Sequence, residues 1–420
     1  MEIYAGKLPS NVLRTVPGGF EALISGCGTS PTQLVSLKEG TGYLASGKNM
    51  YRLSYELSAA KDSREGSPER KRARTETAGS ESKISGSQSK ETELNKFEYL
   101  RAERCAEVAS SHIESVAVAR CAGVDLVAFG TQDGAVHVSK SESSRSSTIV
   151  ANVGYAYDPS SISLLKDTSW HGLCFDAVVG ASRIASVHES TRRVSVVDVK
   201  GEQIVWSKRS AFSPTSVAFS SFSSRKDLKG DAAAAGGEAK CVLTTASDML
   251  SVYDIREKPG STSTKRIVPF RGDQLCDVAT SGTSVLVGGS RGVVYHYDSR
   301  TWTMINMWRA PVKYSVLKVM SSLRGDGTTY AIGNDYELMC SGPSVGVIPT
   351  AAPGKKNSLG NKLRLNHSTG MRVSSRWLGA SVVPTSTDAA GDSIIGVCEM
   401  GQFYCVRHAE GLSPTLNLGK

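Results

Sequence analysis

No run of about 18 consecutive apolar residues occurs in this 420-residue chain, so no segment reads as a membrane-spanning helix. The signatures of catalysis are missing too: there is no GxxxxGKS or GxxxxGKT phosphate loop, no GxSxG elbow, no HExxH and no GxGxxG. Nine cysteines are scattered singly without a CxxC pair, which removes zinc binding by that spacing. The first residues, MEIYAGKLPSNVLRTVPGG, lack a basic start followed by an apolar block, so no secretory leader is expected and the cysteines are expected to be reduced and intracellular. The seven histidines also fall singly. On these absences no enzyme activity, cofactor, metal, membrane contact or small-molecule substrate is expected.

What the chain does have is a recurring strand-turn-strand unit. Val285 to Arg300 (VLVGGSRGVVYHYDSR) is its clearest form: a β-branched strand, a glycine-rich turn in which Gly292 tolerates positive φ, and a strand closing on Tyr297-Asp298. Six weaker copies follow the same pattern. They are Leu44 to Glu56, Leu126 to Val138, Ile184 to Asp198, Val242 to Arg256, Tyr330 to Cys340 and Ile394 to Val406. A period of about 40 to 60 residues suits a propeller, whose sheets must stack on neighbours to bury both faces. One or two all-β sandwiches are the alternative.

These units resemble the WD-repeat β-propeller family, with Tyr-Asp standing for the family's Trp-Asp dipeptide and Arg291 standing where the family usually has Asp. The resemblance implies an all-β fold, a single propeller over residues 1–420, seven blades, and disordered loop insertions. It also implies that the N-terminal segment near Glu2 to Leu13 lies beside Phe403 to Val406 and clasps the ring.

Three segments break the strand rhythm. Residues 58–96 are rich in Ser, Glu, Lys and Arg and nearly free of aliphatic and aromatic side chains, so they cannot bury enough surface to offset their ordering entropy. Inside them, Arg70, Lys71, Arg72 and Arg74 form a compact basic cluster of the nuclear-import kind. Ser67, before Pro68, is a candidate for proline-directed phosphorylation that would offset this charge. Residues 221–240 form a low-complexity loop with no assigned role. Residues 341–387 contain no acid and hold Lys355, Lys356, Lys362, Arg364, Arg372 and Arg376, a concentrated share of the chain's net charge of +9. Such a patch is suited to an acidic protein or to nucleic acid.

The reading that results is a non-catalytic interaction scaffold, a subunit of a nuclear complex in chromatin, RNA processing or ribosome biogenesis, whose partners are other protein subunits. A cytoplasmic location is the alternative. Lys355, Lys356, Lys362 and Arg364 are candidate contacts, as are Arg256 and Arg300, which follow the Tyr-Asp dipeptides. In substrate receptors of cullin-based ubiquitin ligases that arginine often touches the adaptor, so a receptor is an alternative reading. The non-catalytic subunit of a tRNA-modifying enzyme is another, and a propeller enzyme ranks last.

Overall fold

The computed structural model describes residues 2–9, 32–58, 94–107, 111–121, 124–140, 148–152, 170–176, 182–220, 239–258, 264–310, 312, 314–324, 327–341, 369–385, 391–407 and 416–417. Among them there are strands and turns but no helix. The strands form seven antiparallel units of four, each running outward from a common axis. Blade 1 comprises β2 (Thr32–Lys38), β3 (Thr41–Ser46), β4 (Asn49–Leu57) and β5 (Asn95–Glu107). Blade 2 comprises β6 (Ile113–Cys121), β7 (Val124–Thr131), β8 (Ala135–Lys140) and β9 (Thr148–Asn152). Blade 3 holds β10 (His171–Phe175), β11 (Arg183–His188), β12 (Arg193–Asp198) and β13 (Gln203–Arg209). Blade 4 holds β14 (Ser216–Ser220), β15 (Cys241–Ala246), β16 (Met249–Asp254) and β17 (Thr264–Ile267). Blade 5 is β18 (Leu275–Ser281), β19 (Ser284–Gly289), β20 (Val293–Asp298) and β21 (Thr303–Arg309). Blade 6 is β22 (Val316–Ser321), β23 (Thr329–Gly333), β24 (Glu337–Ser341) and β25 (Thr369–Arg372), with β29 (Leu416–Asn417) added in parallel at its outer edge. Blade 7 is β26 (Trp377–Pro384), β27 (Asp392–Cys398), β28 (Gln402–Arg407) and, from the other end of the chain, β1 (Glu2–Lys7).

The seven units recognised in sequence are the second and third strands of the seven blades, counted from the axis. These strands are buried on both faces, because each sheet is sandwiched between two others; β15 and β27 are buried along their whole length. Outer strands such as β13 and β21 carry exposed residues through most of their length. Apolar side chains gather into seven clusters, one in each seam between blades. The innermost strands β2, β6, β10, β14, β18, β22 and β26 touch in succession, and β26 returns to β2. The ring is therefore closed.

Closure depends on the two ends of the chain. β1 pairs antiparallel with β28, with Ile3 opposite Val406 and Gly6 opposite Phe403, as expected for the clasp. It also pairs in parallel with β5, at Tyr4–Asn95 and Ala5–Lys96, so blades 7 and 1 merge into one eight-stranded sheet. Phe97 fills this seam, with ring centroids 6.1 Å from Tyr4, 5.7 Å from Tyr55 and 5.4 Å from Phe403. Arg407 reaches across it and donates to both oxygens of Glu39 at 2.8 and 3.1 Å.

Strands alternate in direction outward from the axis. Turns joining first to second and third to fourth strands therefore leave one end of the ring, here the lower face. Second-to-third turns and the connections between blades leave the upper face.

Candidate docking face and central channel

This alternation decides where the rhythm-breaking segments emerge. Residues 58–94 join β4 to β5, and 342–368 join β24 to β25, both third-to-fourth connections; 221–240 join β14 to β15, a first-to-second connection. The described strand ends that flank all three lie at the lower face. Ser67, Arg70, Lys71, Arg72 and Arg74 lie outside the described residues, as do Lys355, Lys356, Lys362 and Arg364. The remainder of the acid-free segment is not one loop. Thr369–Arg372 is the outer strand of blade 6 and Trp377–Pro384 the inner strand of blade 7. Trp377 is buried in that seam, Arg372 lies over the Tyr336 ring at 5.1 Å, and Arg376 pairs with Glu399 at 3.5 Å.

Arg256 and Arg300 stand on the lower face of adjacent blades in the same geometry. Tyr253 and Tyr297 point into the seams, so the Asp that follows each faces the turn. The Asp254 carboxylate accepts the Arg256 backbone N–H at 3.0 Å and its guanidinium at 2.9 and 2.6 Å. Asp298 takes the same three donors from Arg300, the backbone N–H at 2.9 Å and the guanidinium at 3.1 and 2.8 Å. Each pair is a self-contained clamp that fixes the direction of its guanidinium, and both arginine side chains stay 48% exposed. The Arg300 hydrogen bonds hold Asp298 below its ordinary range.

The upper face is organised by buried polar groups. Arg291 leaves its turn without the family's Asp, and the deficit is supplied by Asp273 from the connection between blades 4 and 5. Its carboxylate accepts Ser290 Oγ at 2.9 Å, Arg291 N–H at 3.0 Å and Tyr295 O–H at 2.7 Å. Gly289 must be glycine for this approach, since a Cβ there would lie 2.3 Å from the carboxylate. Asp273 is the last residue of an Arg-Gly-Asp triplet, and its buried carboxylate is used up in this turn. In blade 2, Asp133 does this work from within its own turn, bonded to Ser111 and Thr131. His171 and His188, which sequence did not mark, lie edge to face at 5.7 Å in the seam of blades 2 and 3. Burial and the neighbouring His188 push His171 down to about 3, while burial pushes Glu114 in the same seam up to about 7. His137 stacks on Phe129 and His296 bonds Ser284, which are structural roles. Phe212, Phe270 and Tyr314, each about half exposed, stand in successive connections entering blades 4, 5 and 6.

Six of the described cysteines form no disulfide, whereas Cys276 on β18 is disulfide-bonded, a correction to the expectation of a fully reduced chain.

The inner strands enclose a central channel of about 360 Å³. Among the described residues its wall is mostly apolar or small, with two charged side chains: Asp277 on β18 and Lys318 on β22. The only sequence signal of these groups is a lone charge inside each of the apolar strands LCDVATS and VLKVMS. Asp277 accepts Ser216 Oγ from blade 4 at 2.6 Å and the Val319 N–H of blade 6 at 2.8 Å, tying three blades at the axis.

No family model and no curated protein matches the chain in sequence. Solved structures do match in shape. The WD40 propeller domain of Doa1 superposes on 91% of this chain and 94% of its own, at 10% identity and a TM-score of 0.53. The chain has a WD40-type β-propeller fold. Raptor of Chaetomium thermophilum matches over 92% of this chain and 29% of its own, at 9% identity and a TM-score of 0.54. A chain of a mitotic checkpoint complex matches over 97% and 95%, at 12% identity and 0.54. At such identities the likeness establishes the propeller and leaves its task to the surfaces.

Proposed function

We propose that this WD40-type propeller is a non-catalytic docking scaffold, a subunit of a nuclear multiprotein complex in chromatin, RNA processing or ribosome biogenesis, and that it engages partners through its lower face. One observation carries the reading. The described strand ends that flank both basic connections lie on the same face as the clamped Arg256 and Arg300, which supports a docking role for that face. Charge held in that way favours an acidic protein surface and speeds its encounter. One structural neighbour is a chain of a mitotic checkpoint complex, which agrees with a partner-binding role.

The test is recovery of the tagged full-length chain from nuclear extract, with co-purifying proteins identified by mass. A reproducible set of nuclear subunits is expected. Recovery alone would overturn the scaffold, and recovery with cytosolic proteins only would overturn the nuclear assignment. In parallel, replacing Lys71, Arg72 and Arg74 with alanine should move a fluorescent fusion from nucleus to cytoplasm.

A receptor role in a cullin-based ligase is the second reading, favoured by the two Asp-x-Arg clamps standing side by side on blades 4 and 5. Appearance of a ligase adaptor among the co-purified proteins, lost in Arg256→Ala/Arg300→Ala, would select it.

A further inference from the structure

The channel pair is built oddly for a structural ion pair. Asp277 is held from both sides, by the Ser216 hydroxyl and the Val319 N–H, and is not free to swing. Lys318 sits on the neighbouring inner strand, yet among the described residues it makes no hydrogen bond or ion pair and feels Asp277 only at a distance. Both side chains keep partial access to water because they face the channel, although protein surrounds them. Burial pushes Lys318 below its ordinary value, with Asp277 opposing. Burial raises Asp277 in turn. An ammonium largely surrounded by protein, with no hydrogen-bond or ion-pair partner among the described residues, costs stability, so folding among those residues does not account for Lys318.

We infer that the central channel is a binding site for a small zwitterion with an apolar side chain, as in an apolar α-amino acid. The ligand carboxylate would pair with Lys318, its ammonium would take the remaining lone pairs of Asp277, and Val116, Phe175, Leu317 and Leu378 would cover the apolar part. The opposite charges of the pair argue against other classes. A polyanion meets Asp277 and a metal cation meets Lys318; among the described residues no group of three or more His, Cys, Asp or Glu side chains is placed to hold a metal. A channel of about 360 Å³ lies within the usual size of small-ligand cavities. This site is separate from the lower face and does not depend on the scaffold reading.

The test uses the full chain with leucine and phenylalanine as zwitterions, and with isovalerate and isoamylamine as single-charge controls. Isothermal titration calorimetry of the wild type should show binding of a zwitterion at least tenfold tighter than of either control. Lys318→Met should abolish that binding and, by removing a partly desolvated charge that has no ion-pair partner among the described residues, should raise the melting temperature. Asp277→Asn, which keeps an acceptor for Ser216, should weaken zwitterion binding at least tenfold. The inference is overturned if neither zwitterion binds at millimolar concentration, if controls bind as well as zwitterions, or if Lys318→Met keeps binding. It is equally overturned if Lys318→Met lowers the melting temperature, since Lys318 would then be a structural partner of Asp277.

Discussion

Single residues in the upper half of the ring carry opposite pH dependences. His171 donates its Nδ1–H to the Thr131 carbonyl at 3.0 Å and, as a neutral ring, accepts the Ser186 hydroxyl at Nε2 at 2.7 Å, deep inside the seam. Its folded value of about 3 lies below the ordinary 6.5, so the unfolded chain takes up the proton first. The stability it contributes is complete above pH 6.5 and is lost as pH falls toward 3. Glu114 behaves in the reverse sense. Burial raises it from 4.5 to about 7, so its contribution is present below pH 4.5 and is lost as pH rises through 7. The carboxyl of Glu189, His188, Asp133 and His137 surround this seam, and burial also lowers His188 and His137. Glu114→Gln should therefore be stabilising at pH 8 and nearly neutral at pH 4.5. Because a tenfold change in a proton-binding equilibrium is worth about 1.4 kcal/mol, the gain at pH 8 is at most about 3 kcal/mol. Urea unfolding of both proteins at the two pH values measures it; an equal difference at both would show that Glu114 does not titrate in the seam.

At the scale of elements, the weak point of a ring is where the chain closes it. Here four aromatic rings, Tyr4, Tyr55, Phe97 and Phe403, meet where β1 is wedged between β28 and β5. Phe97→Ala removes the ring shared by three of these contacts and should cost about 2 to 4 kcal/mol, seen as a lower urea midpoint. Ile305→Ala on β21, where the side chain is 42% exposed, is the control and should change stability by less than about 0.5 kcal/mol. The sequence made the second-to-third-strand hairpins visible because their signals are local: a β-branched run, a turn residue such as Gly292, a second run. The clasp was visible for the same reason, since the fold implied by those hairpins leaves one blade a strand short. Short inner strands such as β10 (HGLCF) and β14 (SVAFS) carry no such signal. The substitution of Asp273 for a turn Asp, and the meeting of Asp277 with Lys318, depend on neighbouring blades coming together. Residue spacing holds no record of that.

For the whole molecule, what matters is which side of the ring receives each connection. The net charge of +9 is not spread evenly along the sequence, since the acid-free stretch alone holds six cations. The strand ends flanking its first part, residues 342–368, lie at the lower face, as do those flanking 58–94. Arg372 and Arg376 are already engaged, one over Tyr336 and the other beside Glu399, so the candidate contacts left in this stretch are Lys355, Lys356, Lys362 and Arg364, which lie outside the described residues. Reversing these four to glutamate changes the net charge by eight, from +9 to +1. If the lower face docks an acidic partner, association should slow by about tenfold or more at low ionic strength, with the difference shrinking toward about 0.5 M salt as the charges are screened. The melting temperature should stay nearly unchanged, because exposed charges contribute little to folding. Stopped-flow or biosensor association with a co-purified partner, run across a salt series beside thermal unfolding, separates the outcomes. A folded variant whose association rate matches the wild type at every salt concentration would remove the basic connection from the docking surface and leave the clamps of Arg256 and Arg300 as its remaining candidates. An unfolded variant would instead show that these cations hold the blade 6 connection in place.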